Sequence, residues 1–177
     1  MFKLLGKALL IAALPLSAHG TEASAASATS GAPALPPVKV YVPKVCLACA
    51  EWAEHLRQHG FVVTLDDTQD MAAIKQRFRI GADLEARHTA VIAGYFIEGH
   101  VPAEDVKQLL QEKPQARGLA VPGGPRGAPG LDVLAGTGCE TGCTMLDGDG
   151  AANRVRREMF NTYLVEKNGK TRVWARH

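Results

Sequence analysis

Residues 38–49 read Val-Lys-Val-Tyr-Val-Pro-Lys-Val-Cys-Leu-Ala-Cys. The first five are a β-rich run, and Pro43 ends it. Cys46 and Cys49 follow at CxxC spacing. From Cys49 to His59, Cys49, Trp52, Ala53 and Leu56 recur at i, i+3, i+4 and i+7, one face of a helix. Gly60 is placed to stop it. A strand that delivers CxxC into a helix is a thioredoxin-like corner.

The pattern continues outward from that corner. Residues 61–65 read as a second strand and 70–79 as a second helix, marked by Met71, Ile74 and Phe78. Asp66, Asp67 and Asp70 crowd the turn between them, a pattern that helix capping explains. Residues 89–93 and 95–97 flank Gly94 as a tight hairpin. Pro102 opens a third helix at its first turn, with Val106, Leu109 and Leu110 inward, and Pro114 closes it. Strands 1 and 2 joined through a helix imply a parallel βαβ unit, and the hairpin makes the sheet mixed. The expected fold is α/β: a thioredoxin-like mixed sheet flanked by helices.

Four segments are expected. Lys3 and Lys7 precede the apolar run 8–16, and small residues follow, so residues 1–20 read as a secretory signal peptide with cleavage between 20 and 26. Residues 21–37, rich in Ala, Ser, Thr and Pro, read as a flexible leader. The thioredoxin-like domain spans 38–122. Residues 123–177 form an extension that begins Gly/Pro-rich, carries Cys139 and Cys143, and closes with a β-hairpin across Asn168-Gly169. That hairpin is expected to extend the sheet.

Composition narrows the function classes. The 177 residues are 46% hydrophobic and 21% charged, enough apolar matter for a core. A formal net charge of +2 gives no reason to expect nucleic-acid binding. No second long apolar run exists, so no membrane span is expected after signal cleavage. Residues 151–177 hold seven Lys/Arg against two Asp/Glu, a basic end that is either solvated or docked on an acidic surface. G-x-S-x-G, HExxH and P-loop motifs are absent.

Chemistry therefore rests on Cys and His. A thiol at a helix N-terminus meets free N–H groups and the positive dipole end, which favour thiolate. Cys46 and Cys49 can be metal ligands, a redox dithiol or an inert disulfide. Cys139 and Cys143 can close a local disulfide, or return to the first pair to share a metal or relay a disulfide. If strand 89–93 runs antiparallel to strand 1, His88 starts beside the thiols and the hairpin returns His100 to the same edge. Both are candidate imidazole ligands. His55 and His59 read as a solvated helix face, and His177 as a mobile chain end.

Several strings resemble a known family: Cys46-Leu-Ala-Cys49, Trp52, His55-Leu56, Gly60-Phe61, Arg87-His-Thr-Ala90, Gly94-Tyr95, Ile97-Glu-Gly-His-Val-Pro102 and Gly118-Leu-Ala-Val-Pro-Gly123. They are similar to the exported metal-binding proteins of the CopG type, associated with bacterial copper resistance. The resemblance covers about residues 38–130 and the closing hairpin. It implies a thioredoxin-like fold, a periplasmic location, copper bound near the Cys motif and a redox role toward the metal. Departures are local. Ala48 takes the place of the family's middle Cys, Arg87 of a Cys before His-Thr-Ala, and Gly124 and Leu131 of Met residues. Cys139 and Cys143 are then candidate replacement sulfurs, and Arg87 is expected to lower the thiol pKa.

The resulting expectation is a periplasmic copper-binding protein acting in copper handling or resistance. Cys46, Cys49, His88, His100, Cys139 and Cys143 are its candidate ligands. Thiolates select Cu(I), with Cu(II) and zinc as further candidate ions. The expected partners are the metal ion and other periplasmic copper-handling proteins. The alternatives are a metal-free thiol–disulfide oxidoreductase using Cys46 and Cys49, and a non-catalytic module with two fixed disulfides.

Overall fold

The computed structural model describes residues 34–131 and 158–177. The signal segment, nearly all of the leader and both Cys139 and Cys143 lie outside the described residues. The elements run β1 (Val38–Tyr41), α1 (Leu47–Gln58), β2 (Val63–Asp66), α2 (Met71–Phe78), β3 (Thr89–Ile92), β4 (Tyr95–Glu98), α3 (Ala103–Glu112), β5 (Ala116–Ala120), β6 (Asn161–Glu166) and β7 (Thr171–Arg176). The strands form one seven-stranded sheet in the order β2-β1-β3-β4-β5-β6-β7. β1 pairs with β2, and β4 with β5, in parallel; every other pairing is antiparallel. The fold is α/β with a mixed sheet, as the element pattern implies. None of the described helices is long and apolar enough to cross a membrane.

Side chains alternate across a strand, and here the alternation sorts two cores. Ile97, Leu119 and Leu164 face one side with Trp52 and Leu56 of α1 and Val106 and Leu109 of α3. Their neighbours Phe96, Ala120 and Val165 face the other side, with Ile80, Leu84 and the half-buried Phe78 at the end of α2. Full burial of Trp52, Leu56 and Leu109 contributes roughly 1.5–3 kcal/mol each in transfer terms.

Capping shifts the helix ends from those expected. α1 begins at Leu47, so Cys46 is its N-cap and Cys49 lies within its first turn. Asp70 caps α2 by accepting from Ala72 N–H at 3.0 Å, and Arg79 ends that helix in the left-handed region at φ 52°. Pro102 is the N-cap of α3 and not a residue of its first turn. The β3–β4 turn is Ala93-Gly94, both left-handed at φ 48° and 86°, the angles a two-residue hairpin needs. In the β6–β7 turn only Gly169 is left-handed. Asn168 instead uses its side chain, accepting from Lys170 N–H at 2.8 Å.

One strand is unexpected. β5 lies between β4 and β6 and is what joins the closing hairpin to the sheet. The chain end also differs from expectation. His177 exchanges both backbone hydrogen bonds with Phe160, and its ring stacks on Phe160 at 4.8 Å. His55 is likewise no solvated residue: its Nε2 accepts from the Ala103 N–H at 3.1 Å, capping α3 from α1.

Candidate metal centre

The site gathers at the C-terminal end of β1. Tyr41 of β1 pairs with Thr89, and Thr89 with Glu98. His88, one residue before β3, therefore stands where β1 runs out toward α1. His100, two residues past β4, returns to the same edge, and Gly99 N–H donates to the His88 carbonyl at 3.1 Å. The antiparallel pairing expected from the sequence therefore brings His88 and His100 to one edge of the sheet.

Cys46 and Cys49 are joined as a disulfide, with Cα atoms 5.3 Å apart. Cys46 Sγ accepts from the Cys49 N–H at 3.3 Å, the dipole contact expected of a helix N-terminus. Cys49 is fully buried, whereas Cys46 is half-buried. The solvent-facing sulfur is therefore Cys46.

Trp52 links this disulfide to the histidines. It sits one turn beyond Cys49 on α1, and its Nε1–H donates to Val101 O at 2.8 Å. The His88 ring lies 4.5 Å from the Trp52 ring and 4.8 Å from the His100 ring, nearly perpendicular to the latter. His88 is 0% exposed, and neither of its ring nitrogens has a hydrogen-bond partner among the described residues. His100 Nδ1 meets the Pro129 carbonyl at 2.9 Å. Burial holds the His88 pKa well below its usual 6.5, with His100 and Lys75 adding to the effect and the Gly99 backbone opposing it. Burial also lowers His100, opposed by its bond to Pro129 and assisted by Arg87. Both imidazoles are thus kept neutral, the protonation state that can ligate a metal.

The Gly/Pro segment closes over this corner. Ala128 is fully buried. Gly130 approaches α1 so closely that a Cβ there would stand 2.6 Å from Trp52 N and 3.1 Å from Ala48 O. A cavity of about 420 Å³ opens beside His100, walled by Ala86, Arg87, Gly123, Gly124 and Leu131. Arg87 is exposed on that wall. Arg87 lowers the His100 pKa. Among the described residues, no group of three or more His, Cys, Asp or Glu side chains is gathered to hold a metal ion. Two sulfurs are bonded to each other, and two imidazoles are in ring contact with one another.

Sequence reasoning missed the support beneath His88. Glu98 is fully buried and accepts from Lys75 Nζ, from Ala86 N–H at 2.7 Å and from Thr89 Oγ1 at 2.6 Å. Lys75 Nζ also donates to Ala86 O at 2.9 Å. Burial raises the Glu98 pKa against these three donors. The available signal was a Glu at the end of an apolar strand and a Lys beside Ile74 on an inward helix face.

Comparison with known proteins follows this geometry. A family model described as a protein of unknown function, DUF411, matches residues 84–131. That interval contains both histidines, Glu98 and the Gly/Pro segment. No curated protein matches the chain. Two solved structures, copper resistance protein CopG Form 1 and Form 2, are each 31% identical to the chain with a TM-score of 0.65. Each alignment covers 81% of this chain and 98% of the solved one. At that identity and coverage, with the shared fold and the Cys and His corner in place, the chain belongs to the CopG-type family.

Proposed function

We propose that this is an exported copper-handling protein that binds Cu(I) at the α1 corner once the Cys46–Cys49 disulfide is reduced. One observation carries the reading: His88 is fully buried with both ring nitrogens unpartnered. An unpaired buried polar group costs roughly 1–3 kcal/mol, and a neutral imidazole in contact with His100 is a ready donor for copper. Imidazole and thiolate are donor types that suit copper. Family membership and the copper-resistance role of the CopG structures support it further. Cys46 and Cys49 would supply the thiolates, and His88 and His100 the nitrogens. Cys139 and Cys143, outside the described residues, are proposed as additional sulfurs. The signal-like residues 1–20 support a periplasmic location, in which other copper-handling proteins are the expected partners.

Anaerobic Cu(I) titration of the reduced protein tests this. Uptake of about one or more Cu(I) per chain, from this ligand set, should be lost in the Cys46→Ser/Cys49→Ser variant and weakened in His88→Leu. Equal uptake by all three proteins would sink the reading.

A second reading has its own support. The disulfide sits at a strand-to-helix corner with Cys46 reachable and Cys49 buried, an arrangement suited to thiol–disulfide exchange without metal. Turnover of a disulfide substrate by copper-free protein, abolished in Cys46→Ser, would favour it.

A further inference from the structure

We infer that the buried Lys75–Glu98 pair is a positioning device for His88, acting through the backbone from the opposite side of the sheet. The inference rests on the copper reading only for the purpose it assigns to His88. Successive side chains in an extended segment point to opposite faces. Thr89 turns toward Glu98 and α2, and His88 turns toward Trp52 and α1. Beyond the ion pair itself, the side-chain hydrogen bonds of Lys75 and Glu98 end on the strap that carries His88. Glu98 accepts from Ala86 N–H and Thr89 Oγ1, and Lys75 donates to Ala86 O. Both backbone groups of Ala86 and the side chain of Thr89 are therefore clamped, and His88 lies between them.

The ring itself has no hydrogen bond to fix it. Its position is set by packing on Trp52 and His100 and by where the backbone holds residue 88. Gly99 completes the clamp. It donates to the His88 carbonyl, and a Cβ at that position would run into Val121 O and the Ala86 side chain. Stability alone gives little reason for this arrangement, since apolar residues often replace a buried ion pair at no cost. Fixing a metal-facing side chain through supporting hydrogen bonds does give a reason.

The test is the double variant Lys75→Met/Glu98→Leu, read in metal-free reduced protein by the His88 ring resonances. The Trp52 ring, tilted against His88 at 4.5 Å, shifts these resonances, so they report the distance between the two rings. The expected result is a folded protein whose His88 ring signals lose that shift. Its Cu(I) affinity should fall on the order of 10–100-fold, the usual range for supporting residues. Glu98→Gln keeps an acceptor and should return both readouts most of the way. Thr89→Val removes one bond with little change in shape and should move the ring signals less, in the same direction. It carries the test should the double variant fail to fold. A folded double variant that has lost melting temperature but kept its His88 signals would overturn the inference, leaving the pair merely structural. Should wild-type protein bind no Cu(I), the copper reading fails by itself, and the ring signals of the metal-free protein still decide this one.

Discussion

The His100 ring meets the His88 ring edge-on, with centroids 4.8 Å apart and planes at 83°. Two imidazoles this close and this buried cannot both be protonated without severe repulsion and desolvation. Their neutrality is therefore built into the fold, and it links stability to pH.

For both histidines the folded pKa lies below the usual 6.5. Between those values the unfolded chain holds more protons than the folded one, so stability is full above pH 6.5 and falls on acidification. The limiting slope is roughly 1.4 kcal/mol per pH unit for each histidine. Glu98, raised above its usual 4.5, has the opposite sign and recovers some stability within its own window. Denaturant midpoints of metal-free protein at pH 7.5, 6.5 and 5.5 should decline in that order. His88→Leu should flatten the decline, and an unchanged slope in that variant would exclude His88 as its source.

The disulfide should open asymmetrically. Cys49 is fully buried and Cys46 half-buried. After reduction, iodoacetamide should modify Cys46 on the order of tenfold faster than Cys49, because access limits the buried thiol. Peptide mapping after short exposure measures the ratio. Equal labelling would mean that α1 opens at its first turn once the sulfurs part.

Much of this corner was legible because its signals are local. CxxC after a β-run, Gly94 between apolar runs, and simple counting along an antiparallel hairpin are enough to bring His88 and His100 to one edge. β5 was not legible. None of the residues of Ala116-Arg-Gly-Leu-Ala120 is β-branched or aromatic, so the segment carries no strand signal. The strand forms because Gly118 lets the backbone of β4 approach where a Cβ would strike the Phe96 carbonyl. The roles of His55 and His177 were invisible for a related reason. Their partners, Ala103 and Asp105, are 48 and 72 residues away. Lys75 and Glu98 carry no local sign of pairing, because a charge on an inward face looks the same in sequence whether or not a partner waits there.

Gly130 should be hard to replace. Its φ is +81°, and an added Cβ would stand 2.6 Å from Trp52 N. Gly130→Ala should cost about 1–3 kcal/mol from backbone strain and overpacking together. Gly123 is the control. It is also left-handed, at φ +68°, but nothing lies within 4 Å of an added Cβ. Gly123→Ala should cost only the strain, about 1 kcal/mol. The comparison isolates the contact between the Gly/Pro segment and α1. Trp52 fluorescence should shift in the first variant and not in the second. Identical losses would mean that the contact contributes nothing.

His177 should act as a fastener between the closing hairpin and α3. His177 Nε2 meets Asp105 Oδ2 at 2.9 Å, and Thr162 Oγ1 donates to the same oxygen at 2.5 Å. Asp105 lies in the first turn of α3, where a carboxylate also favours the helix dipole. Removing His177 leaves that buried oxygen with Thr162 and unpairs Phe160, whose two backbone bonds both go to residue 177. His177→Ala should cost about 1–2 kcal/mol, and Asp105→Ala somewhat more, because it strips both partners at once. A double-mutant cycle should give a coupling of about 0.5–3 kcal/mol, the range for residues in one hydrogen-bond network. Deletion of residue 177 should also speed amide exchange at Phe160 while leaving the core of β4 protected. A coupling of zero, with exchange at Phe160 unchanged, would return His177 to the free chain end that its position in the sequence suggests.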